Sequence, residues 1–331
     1  MKQNVVLVGL EALELVKMVL KEKKPSIVFM GTPEFAAFSL EKLHSVYPVS
    51  AVVTIEDKAI GRGLKISESA VKKKAMELNI PIILQPNSLK DDSFAEQIKQ
   101  LKPDIIVVIA FKILPKKVYS LSFLGSFNIH GSLLPKYRGA APIQWAIVRG
   151  EKETGVTSFL LTDTVDTGNI LGKKVVKIDD RWNAEDLHDA LMPLAAELTI
   201  ETCTNLITNS FSVELQDDSQ ASSAPKLFRE NSKINWNSDT VSVRNFIRGM
   251  TPFPSAWTLF ESVVMKVMEV QEYSGTEIVI EKEFCITDTH FLVGCLGGVV
   301  SIEKLQMPNK SVMKTIDFLR GYRGMRNGSF Q

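Results

Sequence analysis

The sequence predicts an α/β protein: a parallel sheet covered by helices, followed by a small antiparallel barrel or sandwich. Three observations carry this. Apolar runs such as SIVFMG (26–31), VSAVVTI (49–55) and DIIVVIAF (104–111) alternate with helical stretches, the mark of strands buried on both faces. In the last third of the chain the apolar runs are β-rich and closely spaced, with turn residues between them. Between the two regions lies NSFSVELQDDSQASSAP (209–225), polar, Ser-rich and poor in aromatics, which reads as a linker.

The composition agrees. A chain of 331 residues has room for about two domains, and 45% hydrophobic content fills sizeable cores. A formal net charge of +1 gives no global pull on nucleic acid or membrane, so any basic patch is local. Cys203, Cys285 and Cys295 form no Cys-x-x-Cys pair, which argues against a disulfide framework or a cysteine zinc site and suits a reducing cytosol. No apolar run approaches the ~20 residues of a membrane span, and no cleavage site follows the early VVLVG. A soluble, cytoplasmic protein is expected.

The elements follow in order. Residues 1–25 are an extension in which NVVLVG (4–9) reads as a short strand and LEALELVKMVLKEKK as an amphipathic helix. The pattern then restarts with the strand SIVFMG, the helix PEFAAFSLEKLHSV and the strand VSAVVTI. EDKAIGRGLKISESAVKKKAMELN begins as a charged loop and turns helical; PIILQ, a helical DDSFAEQIKQL and DIIVVIAF continue the alternation. FNIH ends a further strand, TGVTSFLL reads as another, and AEDLHDALMPLAAELTIETCTNLI as a helix. Beyond the linker, AWTLFE, VVMKVMEVQEY, EIVIE, FCITDTHFLVGC and GGVVSIEKLQ are expected strands, closed by the helix MKTIDFLRGYRG.

Chemistry concentrates in FNIHGSLLPKYRGAAPIQWA (127–146). Residues i and i+2 of a strand share a face, so Asn128 and His130 project together while Ile129 turns into packing. At the carboxyl edge of a parallel sheet that face opens into the crevice where open α/β folds bind ligands. Asn donates to a carbonyl oxygen and His moves protons near neutral pH, so the pair can polarise a carbonyl and deprotonate a nucleophile. Taken alone, an arbitrary Asn-x-His is more often a pair satisfied in a core at a strand end. No metal-ligand partner accompanies His130 at useful spacing. LTDTVDTGNIL (161–171) holds Asp163 and Asp166; a carboxylate there can orient His130 and stabilise its charged form, or simply cap a turn. GTPEF (31–35) lacks both the Gly-x-Gly-x-x-Gly and the Walker patterns and reads as a tight strand-to-helix turn lining the crevice. GRG (61–63) places Arg62 between glycines among Lys58, Lys65 and Lys72–Lys74, either a solvated loop or a mobile basic finger for phosphates.

From residue 26 to the end, the chain resembles the methionyl-tRNA formyltransferases. The resemblance is carried by IVFMGTPEFA, AIGRG, NIHGSLLPKYRGAAPIQWAI, ETGVT, VDTG, KINW and IRGMTPFPSAW. It implies a Rossmann-like formyltransferase domain over 26–208 and a C-terminal OB-like β-barrel over 226–331 that binds tRNA. It also implies transfer of a formyl group from 10-formyltetrahydrofolate to the α-amino group of methionyl initiator tRNA, without a metal, by a protein expected to be a monomer. Asn128, His130 and Asp166 are the implied catalytic residues. Ser132, Leu133, Leu134 and Pro135, with Phe111, Ile113, Leu114 and Pro115, are implied to frame the folate. Phe35 is implied to face the aminoacyl end and Arg62 the tRNA. Residues 1–24 have no counterpart in the family pattern, ISESAVK lacks the prolines expected after GRG, and AFKILP is one Gly short. A sugar-nucleotide formyltransferase is the competing enzyme; the double Ala of GAAPIQ and the Thr-Pro-Phe-Pro segment favour the tRNA enzyme.

Overall fold

A computed structural model describes residues 24–60 and 65–330. Compactness divides them into two units. One comprises the chain up to Arg138 with Gly155–Val175 and Ala190–Ser222; the other comprises Gly139–Thr154, Val176–Asp189 and the chain from Ser223 onward. The expected strand and helix before residue 24 lie outside the described residues, as does Arg62.

Strand β1 (Ile27–Gly31) leads to helix α1 (Glu34–Val46), strand β2 (Val49–Val53), a hairpin of β3 (Lys58–Ile60) and β4 (Lys65–Ser67), and helix α2 (Ala70–Glu77). Strand β5 (Ile83–Leu84), helix α3 (Asp92–Gln100), strand β6 (Ile105–Ile109), the short helix α4 (Lys116–Tyr119) and strand β7 (Gly125–His130) follow. Then come β8 (Arg138–Gly139), helix α5 (Pro142–Val148), strands β9 (Glu153–Leu160) and β10 (Ile170–Lys177), and the long helix α6 (Ala184–Thr208). The sheet order is β10-β9-β7-β6-β1-β2-β5. Strands β1 and β6 are buried along their whole length, which is why they read as unbroken apolar runs. Val28, Met30, Ile106 and Val108 pack with Phe94 and Ile98 of α3.

The sheet is parallel from β5 to β7, and β9 then joins β7 antiparallel. A parallel neighbour requires a crossover that lays a helix back onto the sheet. The only helix between β7 and β9 is α5, and Ala141, Trp145 and Val148 in and around it pack with the core of the second unit instead. Without a crossover the chain returns antiparallel, a departure from the all-parallel expectation.

In the second unit, short β11 (Ser223–Ala224) precedes helix α7 (Thr240–Met250), strands β12 (Ala256–Phe260), β13 (Val263–Glu272), β14 (Glu283–Ile286), β15 (Phe291–Cys295), β16 (Gly298–Gln306) and β17 (Met313–Lys314), helix α8 (Thr315–Gly321) and β18 (Asn327–Ser329). They form a curled antiparallel sheet in the order β12-β13-β16-β15-β14-β18, with β17 on β16. Helix α7 was masked in the sequence by Thr240, Val241 and Val243, poor helix formers. Asp239 caps it by accepting from Ser242 N at 2.9 Å, and Val243, Ile247 and Met250 are buried. Gly249 lets it approach α5, because a Cβ there would lie 2.5 Å from Val148 Cγ2. EIVIE (277–281) is not a strand. β15 already has β14 and β16 as neighbours, so only Glu281 bridges to Gly294, and Ile278 is 93% exposed.

Among the described residues no helix is long and apolar enough to cross a membrane. The second core centres on Phe260, whose ring meets those of Phe284, Phe291, Phe318, Tyr322 and Phe330. Phe260→Ala is expected to destabilise the protein by about 3–5 kcal/mol, the usual range for a buried Phe in a core that collapses poorly. Urea unfolding followed by intrinsic fluorescence measures it; a cost below about 1 kcal/mol would show that the core repacks around the vacancy.

Candidate active site

Strand β7 sets Asn128 and His130 on one face and buries Phe127 and Ile129 on the other. Asn128 is half-buried, and its amide has no hydrogen-bond partner among the described residues. His130 is only 6% exposed. Its Nε2 lies 2.8 Å from the carbonyl oxygen of Tyr137. A carbonyl only accepts, so Nε2 carries a hydrogen and donates it, and in the neutral ring the lone pair falls on Nδ1. Nδ1 faces Asp166 Oδ2 at 3.7 Å, too long for a hydrogen bond; the two attract as opposite charges only when the ring carries both protons. Phe159 presses edge-on against the imidazole with ring centroids 6.5 Å apart. The sequence expectation gave the orienting role to Asp166. In the structure the ring's hydrogen bond goes to the Tyr137 carbonyl, and the Asp166 carboxylate lies 3.7 Å from Nδ1.

Asp166 sits between β9 and β10 on a turn with two backbone requirements. Its φ of 56° is left-handed, which Asp tolerates better than most residues. Two residues on, a Cβ at Gly168 would lie 1.6 Å from the carbonyl oxygen of Leu160. Asp-Thr-Gly is therefore the chemistry this turn demands. Asp163, the more generic of the two acids, accepts a hydrogen bond from Tyr119 Oη at 2.6 Å. That bond, helped by Lys116, holds its carboxyl below the ordinary carboxylate value and ties the loop to α4.

The loop after β7 is organised by a residue that the sequence did not single out. Thr157 pairs with His130 in the antiparallel register of β9. Its Oγ1 donates to Ser132 O at 2.7 Å and accepts from Leu134 N at 3.1 Å. Ser132 Oγ donates to Lys136 O at 2.6 Å, so this expected folate residue is buried and spends its hydroxyl on the loop. Leu134 packs with Phe159 and Ile170, and Leu114 lies in the sheet core. Leu133, Pro135, Phe111 and Pro115 are half-buried, and Ile113 is 74% exposed. Phe35 is buried in the first turn of α1. Among the described residues no group of three His, Cys, Asp or Glu side chains is placed to hold a metal ion.

In the second unit, Lys310 and Lys314 are exposed, Arg320 pairs with Asp317 at 2.7 Å and Arg326 with Asp288 at 3.3 Å. A further set of cations, not recognised in the sequence, lies on aromatic rings: Lys226 over Phe228 at 5.2 Å, and Arg229 and Lys233 each 5.8 Å from Trp257.

Residues 25–203 match the family model described as "Formyl transferase", and residues 226–323 the one described as "Formyl transferase, C-terminal domain". A methionyl-tRNA formyltransferase of Bacteroides thetaiotaomicron is 40% identical over 315 residues, covering 92% of this chain and 98% of the relative. One from Chlorobium limicola is 41% identical over 306 residues, covering 90% and 96%. The chain belongs to the methionyl-tRNA formyltransferase family. Its fold is shared by a crystal structure of an N-formyltransferase from Helicobacter canadensis in complex with folinic acid and dTDP-3-aminofucose. That likeness has a TM-score of 0.63 at 21% identity and covers 84% of this chain and 98% of that one.

Thr157→Val tests how the loop is held. The substitution keeps the shape and removes a buried donor and acceptor, which leaves Leu134 N and Ser132 O without that partner. A loss of about 1–3 kcal/mol is expected from chemical unfolding. An unchanged midpoint would show that the two backbone groups find other partners.

Proposed function

We propose that this protein transfers the formyl group of 10-formyltetrahydrofolate to the α-amino group of methionine esterified to initiator tRNA, with Asn128, His130 and Asp166 acting at the reacting atoms. One observation supports this above the rest. In a chain of this family, Asn128 and His130 share the face at the end of β7, with Asp166 3.7 Å from the imidazole.

10-Formyltetrahydrofolate supplies the formyl carbon and its oxygen. The residues at hand fit such a substrate: an amide with no partner among the described residues stands near the strand end, and Ile113, Phe111, Pro115, Leu133 and Pro135 keep apolar surface exposed. Leu114, Ser132 and Leu134 serve from behind, by packing and by shaping the loop. Asn128 donates a hydrogen bond to the oxygen on which negative charge develops. His130 takes the proton of the attacking amine at Nδ1, the nitrogen left with a lone pair while Nε2–H is donated to Tyr137, and returns it to N10 as the bond between N10 and the formyl carbon breaks and tetrahydrofolate leaves. Asp166 then stabilises the positive ring across the short gap. Burial keeps water from competing for the same proton.

Residues 26–208 carry this chemistry, 209–225 connect, and 226–331 bind the tRNA. Phosphate contacts come from Lys310, Lys314 and the arginines near the C-terminus, and from the cations on Phe228 and Trp257. Phe35 and its turn back the aminoacyl end, and Arg62 reaches the acceptor stem. The protein works as a monomer in the cytoplasm.

The decisive assay supplies 10-formyltetrahydrofolate with either methionyl initiator tRNA or an amino-sugar nucleotide. Formylation of the tRNA alone is expected; formylation of the sugar alone overturns the reading. His130→Ala should lower turnover by ~10²–10⁴-fold, the usual worth of a positioned acid or base, in a protein that still binds folate. Wild-type turnover in that folded variant would remove His130 from the chemistry. Asp166→Asn keeps the shape of the turn and removes the charge, so turnover should fall by at least about 10-fold; an unchanged rate would leave Asp166 a turn residue only.

A further inference from the structure

Segment 209–225 reads as a tether, yet one of its side chains points inward. Every residue from Ser212 to Gln220 is exposed except Gln216, which is half-buried. Gln216 Nε2 donates to the carbonyl oxygen of Asp166 at 2.9 Å and to that of Gly168 at 2.7 Å. Its Oε1 accepts from Arg138 Nε at 3.0 Å and from Nη2 at 2.7 Å. A guanidinium only donates and carbonyls only accept, so the amide satisfies all four contacts in one orientation alone. Arg138 is 17% exposed, and Nη2 also meets Asp218 Oδ1 at 2.7 Å. The residue before it is Tyr137, whose carbonyl oxygen receives His130 Nε2.

These contacts close a circuit. From His130 Nε2 it runs through the Tyr137 carbonyl and Arg138 to Gln216, on to the Asp166 backbone, and back across the Asp166 carboxylate to His130 Nδ1. Both acceptors facing the imidazole belong to residues with left-handed backbone, φ 61° at Tyr137 and 56° at Asp166. Side chains other than glycine do not favour that region, so each turn depends on bonds from outside it. Gln216 supplies two to the Asp166 turn and, through Arg138, holds the residue next to Tyr137.

We propose that Gln216, braced by Arg138, is a positioning residue that fixes the Asp166 carboxylate and the Tyr137 carbonyl on the two nitrogens of His130. The proposal rests on the reading of His130 and Asp166 given above. Gln216 does not touch the reacting atoms in this reading. It acts by preventing the Asp166 turn from relaxing, and a displacement near 1 Å at a reacting centre is enough to cost up to ~10²-fold in rate.

The test measures kcat and KM for formyl transfer to methionyl initiator tRNA, in single-turnover format where rates are low, with circular dichroism and thermal midpoints reporting folding. Gln216→Met keeps the length and loses all four contacts. It should lower kcat by about 10- to 100-fold while KM for 10-formyltetrahydrofolate changes by less than about 3-fold. Gln216→Glu keeps an acceptor for Arg138 but turns an anionic oxygen toward two carbonyls. Its kcat should fall at least as far although its ion pair is stronger, and it carries the test if the Met variant fails to fold. In an Asp166→Ala background, Gln216→Met should cost less than it does in the otherwise wild-type enzyme, because the part of its effect carried by the Asp166 carboxylate is gone. A folded Gln216→Met enzyme with wild-type kcat overturns the proposal. So does an equal loss with and without Asp166, which would place the effect elsewhere. Wild-type turnover in Asp166→Ala alone would instead overturn the assignment of the site itself.

Discussion

The hydrogen bond from His130 Nε2 to the Tyr137 carbonyl oxygen, 2.8 Å long, is the constraint on which the site depends. It assigns the ring nitrogens. With Nε2 committed as a donor to a backbone acceptor, only Nδ1 is left to exchange a proton, and that nitrogen faces Asp166. It also dictates the loop. For the carbonyl to reach back to a strand end seven residues earlier, Tyr137 adopts a left-handed backbone and Leu133–Lys136 fold into a turn. Ser132 and Thr157 satisfy the polar groups buried by that turn. The buried imidazole is held at Nε2 by that bond and packed edge-on by Phe159, with Nδ1 turned toward the Asp166 carboxylate.

Strand β9 joins β7 antiparallel, and the site takes one residue from it and another from the turn that follows. The antiparallel register places Thr157 opposite His130 and Leu160 opposite Phe127, and the turn after β9 brings Asp166 Oδ2 to 3.7 Å from His130 Nδ1. The one departure from the parallel plan thus supplies both the hydroxyl that shapes the loop and the carboxylate that faces the ring.

The motif at the centre of the chain is divided by packing. Up to Arg138, FNIHGSLLPKYRGAAPIQWA belongs with the parallel sheet; from Gly139 it belongs with the second unit, where Ala141 and Trp145 join the aromatic core. Its first half carries the polar groups of the site. Its second half is helix α5, whose closeness to α7 depends on Gly249. Within the second unit, aromatic rings both fill the core around Phe260 and, at Phe228 and Trp257, seat cations near solvent.

Local chemistry was enough to determine a good deal. Unbroken apolar runs identified β1, β2 and β6, because strands buried on both faces need no polar side. The period of two placed Asn128 beside His130, and the Asp-Thr-Gly turn declared itself because only such residues meet its backbone requirements. The strand assigned to EIVIE failed because periodicity cannot say whether a neighbour is available, and α7 was hidden because β-branched residues disguise a helix that tertiary packing stabilises. The Tyr137 carbonyl on His130, the register that selects Thr157 and the inward turn of Gln216 came from tertiary structure alone. Each joins residues distant along the chain through a backbone carbonyl or a single polar side chain, and neither a carbonyl, which every residue carries, nor one Gln in a polar segment leaves a mark in sequence. Sequence singled out the candidate side chains; the fold decided which nitrogen, which carbonyl and which distance.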